Sequence, residues 1–365
     1  LQAVILVGGE GTRLRPLTYE TPKPMVPLFG IPFLERTLRR LRDAGVEEAV
    51  LAAGYLPRAI EDHFGDGARY GLRVTYVIEE SPLGTAGALR NVAEHIKDTF
   101  FVLNGDILTD LDLRAMVDFH RARGGIGTLH AIRVDDPSPF GCIVRGAGDR
   151  ISAFIEKPRR DAPTDEINAG TYLLERRVLD AIPGGRSVSI ERETFPELLA
   201  GDQALHSFVT NDYWIDIGQP AQYRQAHDDV LDGKLELLAP DGHFWKIGQA
   251  GLPANLRPPV YIGAGATIDP LAVVGPHAVI GSGCSIAAGA HVRYAVLWDG
   301  VRIEPGARVS EAILASNVVV GHEAVVEAGA VVGHEAEIEP GTVLEPDARV
   351  SAPEGIVAAE PVSSV

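Results

Sequence analysis

Short apolar runs alternate with amphipathic stretches over the first two-thirds of the chain, and from about Val260 an aliphatic residue recurs every six positions. Together these patterns predict an α/β domain followed by a left-handed parallel β-helix of hexapeptide repeats. The α/β part should be a Rossmann-like, mostly parallel sheet with helices on both faces. A length of 365 residues also favours two domains.

The elements follow in order. Ala3 to Val7 reads as a buried strand, and Phe33 to Ala44 as a helix with apolar residues at Leu34, Leu38 and Leu41. Val50 to Ala53 is strand, Arg58 to Phe64 helix, Val74 to Ile78 strand, Thr85 to His95 helix and Phe100 to Leu103 strand. Ligands in such sheets bind beyond the carboxyl ends of the strands, so the segments after Val7, Ile78 and Leu103 are the places to search. The sheet-containing domain is assigned to 1–235. The Pro-containing stretch 236–259 reads as a linker, 260–350 as the β-helix and 351–365 as a loose tail.

In the repeat, Ile262, Ile268, Val274, Ile280, Ile286 and Val292 keep strict step. The phase slips by one near Leu297 and again near Leu314, then runs through Val320, Val326, Val332, Ile338, Leu344 and Val350. Each repeat supplies one short strand of a triangular prism, and at about 18 residues per coil the span makes roughly five coils.

The formal charge of −17 argues against a nucleic-acid partner, which needs a basic face. No apolar run approaches the roughly 20 residues that span a bilayer. Cys142 and Cys284 lack metal-ligand spacing and suit a reducing cytoplasm as packing residues.

Directly after the first strand comes LVGGEGTRLRPLTYETPKPM, Leu6 to Met25. Gly8, Gly9 and Gly11 allow a sharp turn that brings bare N–H groups against an anion. Arg13 can grip phosphate oxygens with its planar fork, and Lys23 is a point charge stiffened by Pro22 and Pro24. Neither the G-x-G-x-x-G spacing of a dinucleotide site nor the G-K-[ST] ending of a P-loop is present. EESPLGTAGAL, Glu79 to Leu89, follows the third strand, and LNGDIL puts Asp106 at the carboxyl end of the next. YWIDIGQP sets Asp216 in an otherwise apolar run, where a carboxylate is costly unless paired or metal-bound.

The string G-G-x-G-T-R-L followed by P-K-P resembles the signature of the sugar-phosphate nucleotidylyltransferases, the NDP-sugar pyrophosphorylases. FIEKP, Phe154 to Pro158, and INAGTYLL, Ile167 to Leu174, also match that family. The resemblance implies nucleotide contacts from Leu6, Gly8, Gly9, Gly11, Thr12, Gly84 and Thr85, with Gly84 allowing a base to approach closely. It implies sugar and sugar-phosphate contacts from Gly141, Glu156, Lys157 and Asn168, and Mg²⁺ held by Asp106 and Asp216. Arg13, Lys23, Asp106, Lys157 and Asp216 are then the catalytic set, with a nucleoside triphosphate and a sugar 1-phosphate as substrates.

The paired Glu before Pro-Leu-Gly-Thr looks most like the mannose-1-phosphate guanylyltransferases. Guanine presents adjacent N1–H and N2–H donors, which one carboxylate can accept together, so Glu79 or Glu80 is a candidate guanine reader. The alternative is a solvated carboxylate at a strand end. Thymidylyl- or uridylyltransfer to glucose 1-phosphate is the neighbouring possibility. Two other classes are a non-catalytic regulatory subunit and a β-helix acyltransferase, whose general base would be a histidine. His322 and His334 follow Gly at turn corners, where solvated side chains are expected. Bifunctional uridylyltransferases that carry acyltransfer have Met, not Leu, after the signature Arg. The β-helix suits self-association, so a homo-oligomer, dimer or tetramer, is expected.

Overall fold

A computed structural model describes residues 1–158, 162–237 and 242–351. Two compact units share the chain: Leu1–Glu10 with Leu34–Ile215, and Gly11–Phe33 with the chain from Asp216 onward. The segment carrying Arg13 and Lys23 therefore belongs with the β-helix by packing, although its motif belongs with the sheet. The division at residue 235 is one of sequence motifs, and the compact units cut the chain elsewhere.

The first unit is built on a nine-stranded sheet. Four strands form its parallel half: β1 Gln2–Val7, β2 Glu48–Ala53, β3 Arg73–Ile78 and β4 Phe100–Asn104. β1 lies between β2 and β4, and β3 flanks β2. Ala3, Val4 and Ile5 are all buried; successive side chains point to opposite faces, so both faces are covered. The sheet continues through β5 Gly127–Arg133, β6 Gly141–Arg145, β7 Ile151–Glu156, β8 Glu166–Leu174 and β9 Leu205–Thr210. β8 runs antiparallel to both β4 and β5, and its register slips between Asn168 and Tyr172. That irregularity bends the strand at the INAGTY motif.

Helix α1 spans Phe33–Asp43, α2 Pro57–Phe64 and α3 Gly84–Asn91. α3 is shorter than the sequence pattern suggests: a separate turn, Ala93–His95, completes the predicted stretch. α4, Leu113–Arg123, starts where the Asp112 carboxylate accepts from Arg114 N–H and Ala115 N–H, and stops at Gly124. α5 spans Phe195–Ala200.

In the second unit, α6, Pro220–Leu231, precedes the β-helix, whose short strands stack into three parallel sheets. Val260 pairs with Ala278 and Ile313 with Val331, an 18-residue coil in each case. Val279 pairs with Val296, and Val296 with Ile313, so these two coils have 17 residues. Those two short coils are the phase slips at Leu297 and Leu314. The strict-step residues from Val274 to Val332 line one core, and a second stripe two positions earlier holds small residues such as Ala272, Ala290 and Ala307. Cys284 occupies a place in that stripe and its thiol donates to Trp298 O at 3.1 Å; burial pushes its pKa up to about 12.

The stretch expected as a linker forms contacts of its own over its described part. His243–Trp245 pairs antiparallel with Val260–Ile262, and Leu256 is buried and bridges to Val274. This stretch closes the open first coil, whose core would otherwise face water. Pro240 and the tail beyond residue 351 lie outside the described residues. No helix among the described residues is long and apolar enough to cross a membrane.

Leu314 is fully buried in the β-helix core. Leu314→Ala should cost about 2–5 kcal/mol, measured by chemical denaturation of the whole chain; a loss under about 1 kcal/mol would mean the coils do not pack as described.

Candidate active site

In the first unit, the carboxyl ends of β1, β2, β3 and β4 bring several of the predicted residues together. Gly105 N–H donates to Leu6 O at 3.0 Å, so Asp106 leaves β4 beside the end of β1. Gly8 lies against Gly54, and a Cβ on Gly8 would be 3.8 Å from the Glu79 carboxyl carbon. Leu6, Gly8, Glu79 and the turn to Asp106 thus share one end of the sheet. Glu79 is half-buried and accepts the Leu83 N–H at 3.2 Å, which holds the 79–83 turn; Glu80 is exposed. Burial raises the Glu79 pKa above the ordinary glutamate range, with the Leu83 N–H opposing. Of the two glutamates, Glu79 is therefore the one that lies beside Gly8 at this end.

Gly84 and Thr85 face the protein itself. Gly84 has φ +71°, and a Cβ there would come within 2.7 Å of Val188 O. That carbonyl accepts from Ala86 N–H and Gly87 N–H, at 2.9 and 3.2 Å. The close approach that requires glycine here is thus made by the Val188 backbone and the Ser187 hydroxyl. The Thr85 hydroxyl donates to Glu191 Oε2 at 2.8 Å and accepts from Ile190 N–H at 2.9 Å.

Glu191 is a residue that motif reading missed. Its other oxygen accepts from Tyr172 OH at 3.5 Å, and Tyr172 OH accepts in turn from Asn168 Nδ2 at 2.8 Å. One carboxylate therefore joins the Pro-Leu-Gly-Thr segment to the predicted sugar-side residue Asn168. In sequence it sits inside Ile-Glu-Arg-Glu, which reads as a solvated charge run. Glu156 lies close to Gly141, where a Cβ would be 2.7 Å from Glu156 Oε2. Burial raises the Glu156 pKa, and the Glu191 charge adds to the shift. Lys157 adopts φ +47° and its N–H donates to Phe140 O at 3.1 Å, leaving an exposed side chain. Phe140 meets the Trp214 ring edge-on at 5.4 Å, and Trp214 Nε1 donates to Ala169 O at 2.9 Å. These contacts tie the start of β6, where Gly141 sits, to β8, which carries Asn168.

In the second unit the decisive geometry surrounds Gly218. A Cβ on this residue would be 2.8 Å from Asp216 Oδ1, 3.2 Å from Arg13 Nη2 and 3.4 Å from Lys23 Nζ. Asp216 Oδ1 also accepts the Gly218 N–H at 2.7 Å. A carboxylate, a guanidinium and an ammonium so converge within one side chain's reach, and only a hydrogen atom occupies the space. The loop is set by Gly11, at φ +64°, where a Cβ would be 3.1 Å from both Lys23 Cβ and Thr18 Cγ2. The Thr18 hydroxyl donates to Gly11 O at 2.8 Å. Thr12 and Arg13 are exposed on the turn Thr12–Leu14. Gly9 is exposed at the end of the first unit's part of the loop.

Among the described residues no group of three or more His, Cys, Asp or Glu side chains could hold a metal. A divalent cation here would use few protein oxygens and complete its shell with substrate phosphate and water. That donor set fits a hard cation of the Mg²⁺ type.

The Nucleotidyl transferase family matches residues 2–233, and the GMPPB C-terminal domain matches 256–356. The chain belongs to the nucleotidyl transferase family. It is 44% identical over 308 residues to the mannose-1-phosphate guanylyltransferase of Mycobacterium tuberculosis strain H37Rv, covering 84% of this chain and 82% of that one. It is 34% identical over 338 residues to a UTP–glucose-1-phosphate uridylyltransferase of Synechocystis sp. PCC 6803, covering 86% and 87%. Among solved structures, HddC from Yersinia pseudotuberculosis is similar with a TM-score of 0.55 and 32% identity, over 63% of this chain and 99% of that one. The family's members are sugar-1-phosphate nucleotidyltransferases, and a divalent metal is part of their chemistry.

The backbone of Gly218 lies outside the left-handed region, so alanine is conformationally admissible there. Gly218→Ala should push Arg13 and Lys23 away from Asp216 and reduce nucleotidyl transfer by roughly 100-fold, with an unchanged thermal midpoint. Steady-state kinetics beside a melting curve checks this; wild-type turnover would show that the convergence at Gly218 has no catalytic use.

Proposed function

We propose that this nucleotidyltransferase joins GTP to mannose 1-phosphate, giving GDP-mannose and pyrophosphate. The observation that carries the reading is the convergence of Arg13, Lys23 and Asp216 at Gly218. Two cations gathered beside one carboxylate suit a polyphosphate whose metal shares that carboxylate.

The reaction needs no covalent intermediate. A phosphate oxygen of the sugar 1-phosphate, already an anion at neutral pH, attacks the α-phosphorus of GTP. A P–O bond forms as the bond from the α-phosphorus to the bridging oxygen breaks, and that electron pair leaves with pyrophosphate. The barrier lies in bringing two polyanions together and in the charge that develops on the leaving group. Arg13 and Lys23 neutralise the triphosphate, and Lys157 orients the incoming sugar phosphate. Glu156 and Asn168 accept and donate hydrogen bonds to sugar hydroxyls. Asp106 and Asp216 would hold Mg²⁺, and the ion would supply neutralisation of phosphate charge. Positioning and electrostatics supply the acceleration.

For the base, Glu79 is the reader: ionised, it accepts guanine N1–H and N2–H together. Nothing observed favours acyltransfer: His322 is exposed beside Glu323, and His334 is bonded to Thr21 within its own chain. The same reading makes the protein a cytoplasmic homo-oligomer, in which Cys142 and Cys284 stay reduced and buried. Light scattering at micromolar concentration tests the assembly, and a monomer would refute it.

Pyrophosphate release with Mg²⁺, across nucleoside triphosphates against mannose 1-phosphate and glucose 1-phosphate, should show a preference for GTP with mannose 1-phosphate. A preference for UTP or dTTP with glucose 1-phosphate would discard the guanine reading, and no release from any pair would discard catalysis. Asp106→Ala should lower turnover by at least roughly 100- to 1,000-fold without unfolding the chain. The raised Glu79 pKa gives a further sign. As pH falls through it the carboxylate is protonated and loses an acceptor, so KM for GTP should rise at a higher pH than an ordinary glutamate would dictate. Glu79→Gln should start with a higher KM and show no such rise; an unchanged profile would remove Glu79 from base reading.

A further inference from the structure

The loop that presents Arg13 and Lys23 is fastened to the β-helix at several points, all within the second unit. Thr21 Oγ1 is 3.0 Å from His334 Nε2. Pro16 lies over Gly333, where a Cβ would be 3.1 Å from Pro16 Cβ. His334 was expected to be a solvated corner residue; it is half-buried because the 16–21 stretch covers that corner. Burial pulls its pKa below the usual histidine value, against the opposing pull of Glu20 and Glu335.

A second route ties down the far side of Lys23. Trp298 Nε1 donates to Tyr223 OH at 3.0 Å, and Tyr223 OH donates to Pro27 O. Tyr223 has no exposed surface and Trp298 is buried. The Trp298 ring meets the His334 ring edge-on at 5.2 Å. Trp298 and Gly333 stand at one corner of the prism, two coils apart: Trp298 N–H donates to Leu314 O and Ala315 N–H to Val332 O, each at 2.9 Å. Lys23 thus lies in a short segment whose two ends, Thr21 and Pro27, both lead back to the same β-helix corner.

We infer that the corner bearing Trp298 and His334, with Tyr223 of α6, is a positioning element for nucleotidyl transfer, holding the Lys23 segment at both ends so that the ammonium stands where the triphosphate binds. This rests on the reading that Lys23 contacts the nucleotide phosphates. Rigid coils suit the task, because a side chain held by stacked backbone bonds has little room to move, and a misplacement near 1 Å can cost about 100-fold in rate.

Kinetics of the full-length enzyme, with GTP and mannose 1-phosphate or whichever pair it turns over best, provides the test. His334→Ala should lower kcat by roughly 10- to 100-fold with a smaller change in KM for the nucleotide. His334→Gln, whose amide can still reach Thr21, should recover much of that loss. Thr21→Val and His334→Ala together should cost little more than either alone, because both break one link. Tyr223→Phe keeps the ring, removes only the hydroxyl, and should lower kcat by about 10-fold; it decides the matter if His334→Ala melts early. Lys23→Ala separates the two ideas. If Lys23→Ala is inactive while His334→Ala and folded Tyr223→Phe turn over as wild type, the positioning inference is wrong and the phosphate reading stands. If Lys23→Ala is itself near normal, the phosphate reading falls and takes the inference with it.

Discussion

Tyr223 has no exposed surface, so its hydroxyl must satisfy both hydrogen-bonding roles inside the protein. It accepts from Trp298 of the β-helix and donates to Pro27 O in the loop, while its own backbone belongs to α6. Leaving either role unmet would cost about 1–3 kcal/mol, so the three segments hold one another in place. Burial raises the phenol pKa well out of the physiological range, which keeps the hydroxyl proton in place as a donor. Around it, Phe29 packs on His227 and Tyr261 with ring centroids 4.9 and 5.2 Å apart, giving the loop an aromatic footing on α6 and the first coil. The second compact unit is organised by this joint, and the convergence of Arg13, Lys23 and Asp216 sits on a segment it anchors.

The first unit solves a different problem, the handling of half-buried carboxylates. Glu79, Glu156 and Glu191 are all partly withdrawn from water, and burial raises the pKa of the first two. Glu191 is satisfied internally, by the Thr85 and Ser189 hydroxyls at 2.8 Å and by Tyr172. The residue thereby works as a brace between the segment after β3 and the bend in β8. Glu79 and Glu156 stand at segment ends, next to Gly8 and Gly141, where a side chain on the neighbour would crowd them. A ligand offering N–H or O–H donors gives such groups the solvation that folding removed, which is the physical case for base and sugar recognition at these positions.

Periodicity made the architecture legible. A hydrophobic repeat of six can be buried only by coiling, and the two slips in its phase are the two 17-residue coils. The strands around the glycine-rich loop were equally plain, because β1, β2 and β4 are buried on both faces and read as unbroken apolar runs. The first coil's closure by 242–259 was not legible, since its Pro and Gly content looks like a connector until Leu256 and Trp245 are seen packing against the core.

The sequence by itself determined the two-part architecture, the family chemistry and the residue types that serve it, because those depend on local pattern: period, turn glycines and charged residues at strand ends. Tertiary structure alone decided which residues meet. Gly218 matters because Arg13 and Lys23, some two hundred positions earlier, arrive beside it; Glu191 matters because Thr85 and Tyr172 both reach it. His334 is an anchor only because the 16–21 stretch folds over its corner. Such contacts arise when chain closure over long separations is offset by burial and by satisfied hydrogen bonds, and no window of neighbouring residues contains that balance.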